Sequence, residues 1–303
     1  ALTFSNLIRK ETHPDDPPRT FETFKKSWQA EEMFEKQKNT LWVVSHGNEH
    51  IAHCWTSVNY YDDNRHLMHV ELLVHPEHRQ KDLAKQLLGK ALETAKQEER
   101  SHIISWTHST IPAGTIFAEK IGAKRGLEGH INQLVLNELN QALIATWIKD
   151  TEETAKDFAL DFWLDTYPEN ELAAIANLYS VMSTAPRGEL DIEDWQVKPE
   201  DLREGEAYQK AVGIERWATY VRHLPSGELA GYSVTTYQPD NNPQVIWQGD
   251  TGVLPKYRGH GLGKWLKAVM LEKILRERQD VKFIRTGNAD SNVPMLAINH
   301  ALG

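Results

Sequence analysis

The chain has 303 residues, 40% of them hydrophobic and 25% charged, an ordinary balance for a globular protein and enough chain for two domains of common size. Its net charge of −9, divided as −2 over residues 1–150 and −7 over 151–303, argues against a nucleic-acid partner, because such binding runs on Lys and Arg against phosphate. No apolar run reaches the ~18 residues of a membrane span, the opening ALTFSNLIRKETHPDD lacks the basic and apolar regions of a secretory leader, and the single cysteine, Cys54, cannot form a disulfide within the chain, so a cytoplasmic protein without a membrane partner is expected.

In chain order, ALTFSNLI opens the first half, in the place that the element order repeated in both halves gives to a strand. A Pro- and Asp-rich loop (THPDDPPR) and a helical stretch (FETFKKSWQAEEMFEKQ) follow. Residues 41–61 read as a hairpin turning at HGNE, and 66–76 as an apolar strand ending in Pro76. Leu83, Leu87, Leu88, Ala91 and Leu92 then have helical spacing. SHIISWT (101–107) reads as a short buried strand and 115–123 as a helix closing on a glycine; 140–157 looks helical and carries the domain boundary.

The second half repeats the pattern. FALDFWLDTY reads as a strand, NELAAIANLYSVMSTA as a helix, TAPRGELDIEDW as a polar loop, and 216–239 as a hairpin turning at PSGE. A strand (242–255) ends in Pro255, and Leu262, Leu266, Val269, Met270 and Ile274 mark a helix. A strand (282–288) and a helix ending at Gly303 close the chain. Pro76 and Pro255 are 179 residues apart, as are Arg79 and Arg258. The economical reading is a duplication, with copies at 1–150 and 151–303. Each is a mixed α/β (α+β) domain whose sheet is antiparallel through the hairpin, parallel beyond it, and flanked by helices.

RGHGLGK (258–264) joins a strand to a helix. Such a turn can present several backbone N–H groups and the positive end of a helix to one anion, with Arg258 and Lys264 adding charge; it can equally be a tight structural turn. It fits neither G-x-x-x-x-G-K-S/T nor G-x-G-x-x-G, because Arg258 lies five residues before Gly263, Trp265 follows Lys264, and Gly259, Gly261 and Gly263 are spaced two and two.

Val253 to Lys264 (V-L-P-x-Y-R-G-H-G-L-G-K) resembles the acetyl-CoA signature of the GNAT N-acetyltransferase superfamily, and 286–303 resembles its second motif, an Asn-bearing loop leading to a helix that ends in Leu-Gly. With two copies, the chain looks like the tandem GNAT proteins, of which mycothiol synthases are one kind. The resemblance implies an acetyl-CoA-dependent N-acetyltransferase acting on a small-molecule primary amine, with coenzyme A held by Val253, Leu254, Arg258, Gly259, His260, Gly261, Leu262, Gly263 and Lys264. Backbone between Gly252 and Leu254, centred on Val253, would be the oxyanion donor. Asn288 and Asn292 match family positions that bond the pantetheine or organise its loop; they could also cap the last helix. The family's usual tyrosine acid falls on Asn299, and on Ala118 in the first copy; Tyr220, Tyr232 and Tyr237 lie in the hairpin region without a way to choose among them.

Asp250 is the candidate base, a carboxylate near Ile246, Trp247 and Val253, although such a residue can also be solvent-facing or salt-bridged. Its counterpart is Glu71. The first copy carries Asp82 where the second has Gly261, so a carboxylate would face the pyrophosphate; Asp82 could also simply cap its helix. The first copy is thus expected to be degenerate and the second to hold the site. His66, His69, His75 and His78 have no Cys or paired-carboxylate spacing, so no metal is expected. Trp163, Trp195, Trp217 and Trp247 could line an acceptor pocket or sit in the core; Glu189, Asp191, Glu193 and Asp194 could draw an ammonium group or be solvated. The alternative functions are a non-catalytic acyl-CoA sensor and an interaction scaffold. Because the second copy stops at Gly303 without its final strand, an open sheet edge is expected unless the chain continues or something covers that edge, such as a partner or the first copy.

Overall fold

Two helices open the first unit, Ala1–Arg125, in the computed structural model, which describes residues 1–303. Helix α1 (Leu2–Thr12) buries Phe4 and Ile8, one helical turn apart. The strand that opens the second copy therefore has a helix in its place in the first. Thr20 caps α2 (Phe21–Ala30) by accepting from the Thr23 N–H. The predicted hairpin is β1 (Gln37–His46) and β2 (Glu49–Asn59), followed by β3 (Leu67–Val74), α3 (Leu83–Gln97), β4 (His102–Ile104) and α4 (Pro112–Lys120). The sheet order is β1-β2-β3-β4, with only the β3/β4 pair parallel. Leu87, Ala91 and Ala95 of α3 pack onto Ala52, Cys54, Met68 and Val70. Burial there pushes the Cys54 thiol up to about 11, which keeps it protonated and unreactive.

The second unit, Gly126–Gly303, begins earlier than the sequence repeat. The segment 126–150, counted above with the first copy, contributes β5 (Gly129–Val135) and most of α5 (Gln141–Thr154), the latter capped by Asn140. Then come β6 (Phe158–Leu164), α6 (Leu172–Tyr179), α7 (Pro199–Ala211), β7 (Glu215–His223), β8 (Leu229–Tyr237), β9 (Val245–Val253), α8 (Leu262–Glu277), β10 (Phe283–Ala289) and α9 (Val293–Leu302). Strands follow the order β5-β10-β9-β8-β7-β6, antiparallel except for β9/β10. The edge of β10 expected to lie open is covered: β5 pairs with it along its whole length, from Phe283↔Val135 to Ala289↔Gly129. Helix α7 has no counterpart in the sequence reading. Its signals are Pro199 in the first turn and Asp201, whose carboxylate accepts from the Lys198 N–H.

Helices cover both faces of this sheet. On one, Leu172, Ile175 and Ala176 of α6 meet Trp163, Ala218 and Tyr232. On the other, Met270, Leu271 and Ile274 of α8 meet Ile246 and Ile284. Trp163 belongs to the core, stacked on Tyr220 at 3.9 Å.

Candidate active site

The parallel β9/β10 contact is short. Three residues pair, Val245 to Trp247 with Phe283 to Arg285, and the strands then part while β10 stays paired to β5. Gln248 and Thr286 are the first residues past the split. Along the opened stretch β9 remains paired to β8, with Gly231 opposite Val253, Tyr232 opposite Gly252 and Ser233 opposite Thr251. The Leu254 N–H donates to the Ala230 carbonyl at 2.9 Å, so 254/230 is a hydrogen-bonded pair, and by alternation 253/231 is not. The Val253 N–H and C=O therefore point away from β8, toward the split. Arg258 secures this arrangement: its Nε donates to the Val253 carbonyl at 3.0 Å and its guanidinium reaches the Thr184 hydroxyl at 3.1 Å.

Residues 258–263 form the turn below. Gly259 and Gly261 hold φ of +87° and +77°, the left-handed region glycine enters without steric cost. A side chain on Gly259 would meet nothing within 4 Å, so the space above it is open. Lys264 makes the first intrahelical bond of α8, to the Gly261 carbonyl, so the amides of Leu262 and Gly263 precede the helix ladder and point outward at its positive end. The Lys264 ammonium lies 5.4 Å over the Trp147 ring. The exposed His260 ring sits 5.7 Å from that of Phe158. This combination of open space, left-handed glycines, helix terminus and two cations fits a pyrophosphate-bearing group.

Asp250 owes its position to a β-bulge. Between the pairs Ser233↔Thr251 and Thr235↔Gln248, β9 carries one residue more than β8, which places Gly249 and Asp250 against Val234. Its carboxylate keeps an exposed edge but is surrounded by protein, and this desolvation raises it above the ordinary carboxylate value. Among the three tyrosines the sequence left open, Tyr220 bonds Asp161 and Tyr237 bonds the Pro243 carbonyl. Tyr232 differs: its ring is 1% exposed, its buried hydroxyl bonds no protein atom, and burial together with the Asp250 charge raises it far above its ordinary value.

Asn288, Asn299 and Lys267 form a chain on the α8 face. Asn288 Oδ1 accepts from Asn299 Nδ2 at 2.6 Å and from Asn132 of β5 at 3.4 Å, and Asn299 Oδ1 accepts from Lys267 Nζ at 2.6 Å. Asn288 thus joins β10 to α9 and β5 and does not cap a helix. Asn292 is the first residue of the α9 boundary, but its side chain makes no capping bond; its carbonyl accepts from Met295 and Leu296. Lys267 was missed. Its signal was present: it lies three, four and seven residues before Met270, Leu271 and Ile274, on the apolar stripe of α8.

The first unit preserves the frame and loses two details. The Arg79 Nε donates to the Val74 carbonyl at 3.1 Å, as Arg258 does to Val253, but its guanidinium is closed by two bonds to Glu11. Gln80 and Asp82 keep the left-handed turn at φ of +62° and +57°, so the glycine conformation survives without glycine, at roughly 1–2 kcal/mol per residue. Asp82 makes no side-chain cap. Strand β3 pairs with β2 in unbroken register from His69 to Val74, so Glu71 has no bulge to re-aim it.

The second unit is thus a mixed α/β domain whose parallel strand pair splits above a left-handed glycine turn at a helix terminus. The sequence profile of the Acetyltransferase (GNAT) family matches residues 4–123 and again 175–299, and the chain belongs to that family, as a tandem acetyltransferase. No curated protein matches it. Among solved structures it is similar to a tandem GNAT protein from the clavulanic acid biosynthesis pathway (23% identity, TM-score 0.76, covering 100% of this chain and 89% of the other). It also resembles a GCN5-related N-acetyltransferase from Sphaerobacter thermophilus (14%, 0.59, 95% and 82%). At these identities the likeness is one of fold. A particular resemblance to mycothiol synthases is not shown by any of them. No helix is long and apolar enough to cross a membrane.

Proposed function

We propose that the second unit is an acetyl-CoA-dependent N-acetyltransferase acting on a small-molecule primary amine, in the cytoplasm. The observation that carries this reading is the Val253 amide facing the split between β9 and β10, directly above the turn at 258–264. Acetyl-CoA supplies the acyl group as a thioester. In the balanced reaction a nitrogen–carbon bond forms, the carbon–sulfur bond breaks, and the proton lost by the amine is matched by one gained on the thiolate. Arg258, Lys264 and the amides of Gly259 to Gly263 hold the pyrophosphate, Asn288 and Asn292 order the loop beside the pantetheine, and the Val253 N–H stabilises the developing oxyanion. Asp250, raised by desolvation and therefore a stronger base once ionised, takes the amine proton directly or through water.

The test is turnover with a panel of primary amines, read as free thiol released, for wild type and Asp250→Asn. Activity should rise with pH through a carboxyl value above the ordinary 3.8, and Asp250→Asn should cost about 10²–10⁴-fold in kcat and remove that limb. Tight acetyl-CoA binding with no thiol release from any amine would favour the sensor instead.

A further inference from the structure

We propose that the cavity where β9 and β10 part accepts an acyl tail ending in a carboxylate, making a short dicarboxylic thioester of the malonyl or succinyl type a further acyl donor of this chain; the inference rests on the acyl-CoA reading of the second unit. The cavity measures about 100 Å³, roughly the liquid volume of three waters. A lone methyl beyond the thioester carbonyl leaves most of it empty. Its walls include Gln248 and Thr286 at the start of the split, Asn132 of β5, Lys267 of α8, Asn299 and His300 of α9 and the following Gly303, over a floor that includes Leu271.

Lys267 is the group that selects. It is 4% exposed. Its Nζ donates to Asn299 Oδ1 alone among protein atoms, and no carboxylate pairs with it. Burial lowers it to about 8, and no neighbouring charge contributes. A buried ammonium without a counter-charge is costly, and an apolar residue of similar volume is the cheaper occupant of such a position. The chain itself supplies that comparison: 179 residues earlier, in the degenerate copy, the residue is Leu88. The lysine is also held in one pose. Because the Asn299 amide nitrogen is committed to Asn288 at 2.6 Å, its oxygen must face the ammonium, leaving two N–H donors for the cavity. An anionic tail would supply both the missing charge and the missing acceptors; a methyl supplies neither.

The experiment is calorimetric titration of the full chain with CoA, acetyl-CoA, malonyl-CoA and succinyl-CoA, repeated with Lys267→Met. At least one of the two carboxylate thioesters should bind about ten- to a hundredfold tighter than acetyl-CoA, the range a hydrogen bond to a charged group supplies, and Lys267→Met should bring that ratio close to one. If CoA and acetyl-CoA bind while neither carboxylate thioester binds more tightly, the inference is overturned and the acyl-CoA reading stands. A preference that survives Lys267→Met also overturns it. If none of the four binds, the acyl-CoA reading falls and takes the inference with it. The wild-type ratio decides the matter should the variant fail to fold.

Discussion

Replacing Gly261 with Asp transplants the first copy's turn into the second. The backbone part of the effect follows from φ of +77° at Gly261, where an L-residue costs roughly 1–2 kcal/mol. A new Cβ would also lie 3.3 Å from the Thr151 hydroxyl oxygen, a close contact that a small shift of α5 can relieve. The electrostatic part is larger for binding. A carboxylate ~5 Å from one pyrophosphate charge, at an effective dielectric near 20, is repelled by about 3 kcal/mol. Gly261 is exposed, so screening reduces this to about 1.5–3 kcal/mol, or roughly ten- to a hundredfold in Kd. Gly261→Asn separates the two parts, since Asn has nearly the same shape and tolerates the left-handed region but carries no charge. Titration of CoA into both variants by calorimetry should show Asp binding that much more weakly than Asn, with the gap narrowing at high salt. Equal affinity for the two would refute the placement of an anion at this turn, whatever the absolute Kd.

Two further outcomes follow from packing and burial. Lys267 falls from an ordinary 10.5 to about 8, which corresponds to roughly 3 kcal/mol of cost to the folded state at neutral pH; the unfolded chain holds the proton more tightly, so stability should rise between about pH 8 and 10.5, and Lys267→Met should be stabilising at pH 7 and lose its advantage above that window in denaturant melts. A Cβ on Gly252 would come within 2.6 Å of Val181 Cγ1 and 3.1 Å of Tyr232 Cε1, so Gly252→Ala should cost about 1–3 kcal/mol in the same melts, and an unchanged midpoint would mean that the segment over β9 is not fixed there.

What the sequence revealed and what it hid divide along physical lines. The hairpins at HGNE and PSGE, the stripes of α3 and α8, and the 179-residue echo between Arg79 and Arg258 are local or periodic, and the structure contains them. The left-handed turn was legible from Gly259 and Gly261, but Gln80 and Asp82 adopt it too; Asp tolerates that region, whereas Gln carries no signal for it. The bulge at Gly249–Asp250 depends on register against β8, and a register is a property of two strands. Tyr232 could not be singled out from Tyr220 and Tyr237 because only burial and hydrogen bonding in the folded chain distinguish them. Lys267 lies on an apolar stripe, but a lysine on a helix is usually solvated, and only the packing of α8 shows that this one is buried. The opening helix was hidden for a different reason: Phe4 and Ile8 are spaced for a helix, but the repeat suggested a strand.

The partnership of β5 with β10 has a consequence for how the chain is made. Its paired residues lie about 150 positions apart, so β5 is synthesised long before the strand that completes its ladder. At roughly 5–20 residues per second, that interval is on the order of ten to thirty seconds. Through it, Gly129–Val135 waits with an unpaired backbone; β9, finished at Val253, waits only the last few seconds with nothing beyond it to set the angle of the split. Closing a loop of that length delays the long-range step. The split that exposes the Val253 amide is therefore among the last features of the second unit to be defined, and a ribosome-bound chain paused before Phe283 would carry the glycine turn without the opening above it.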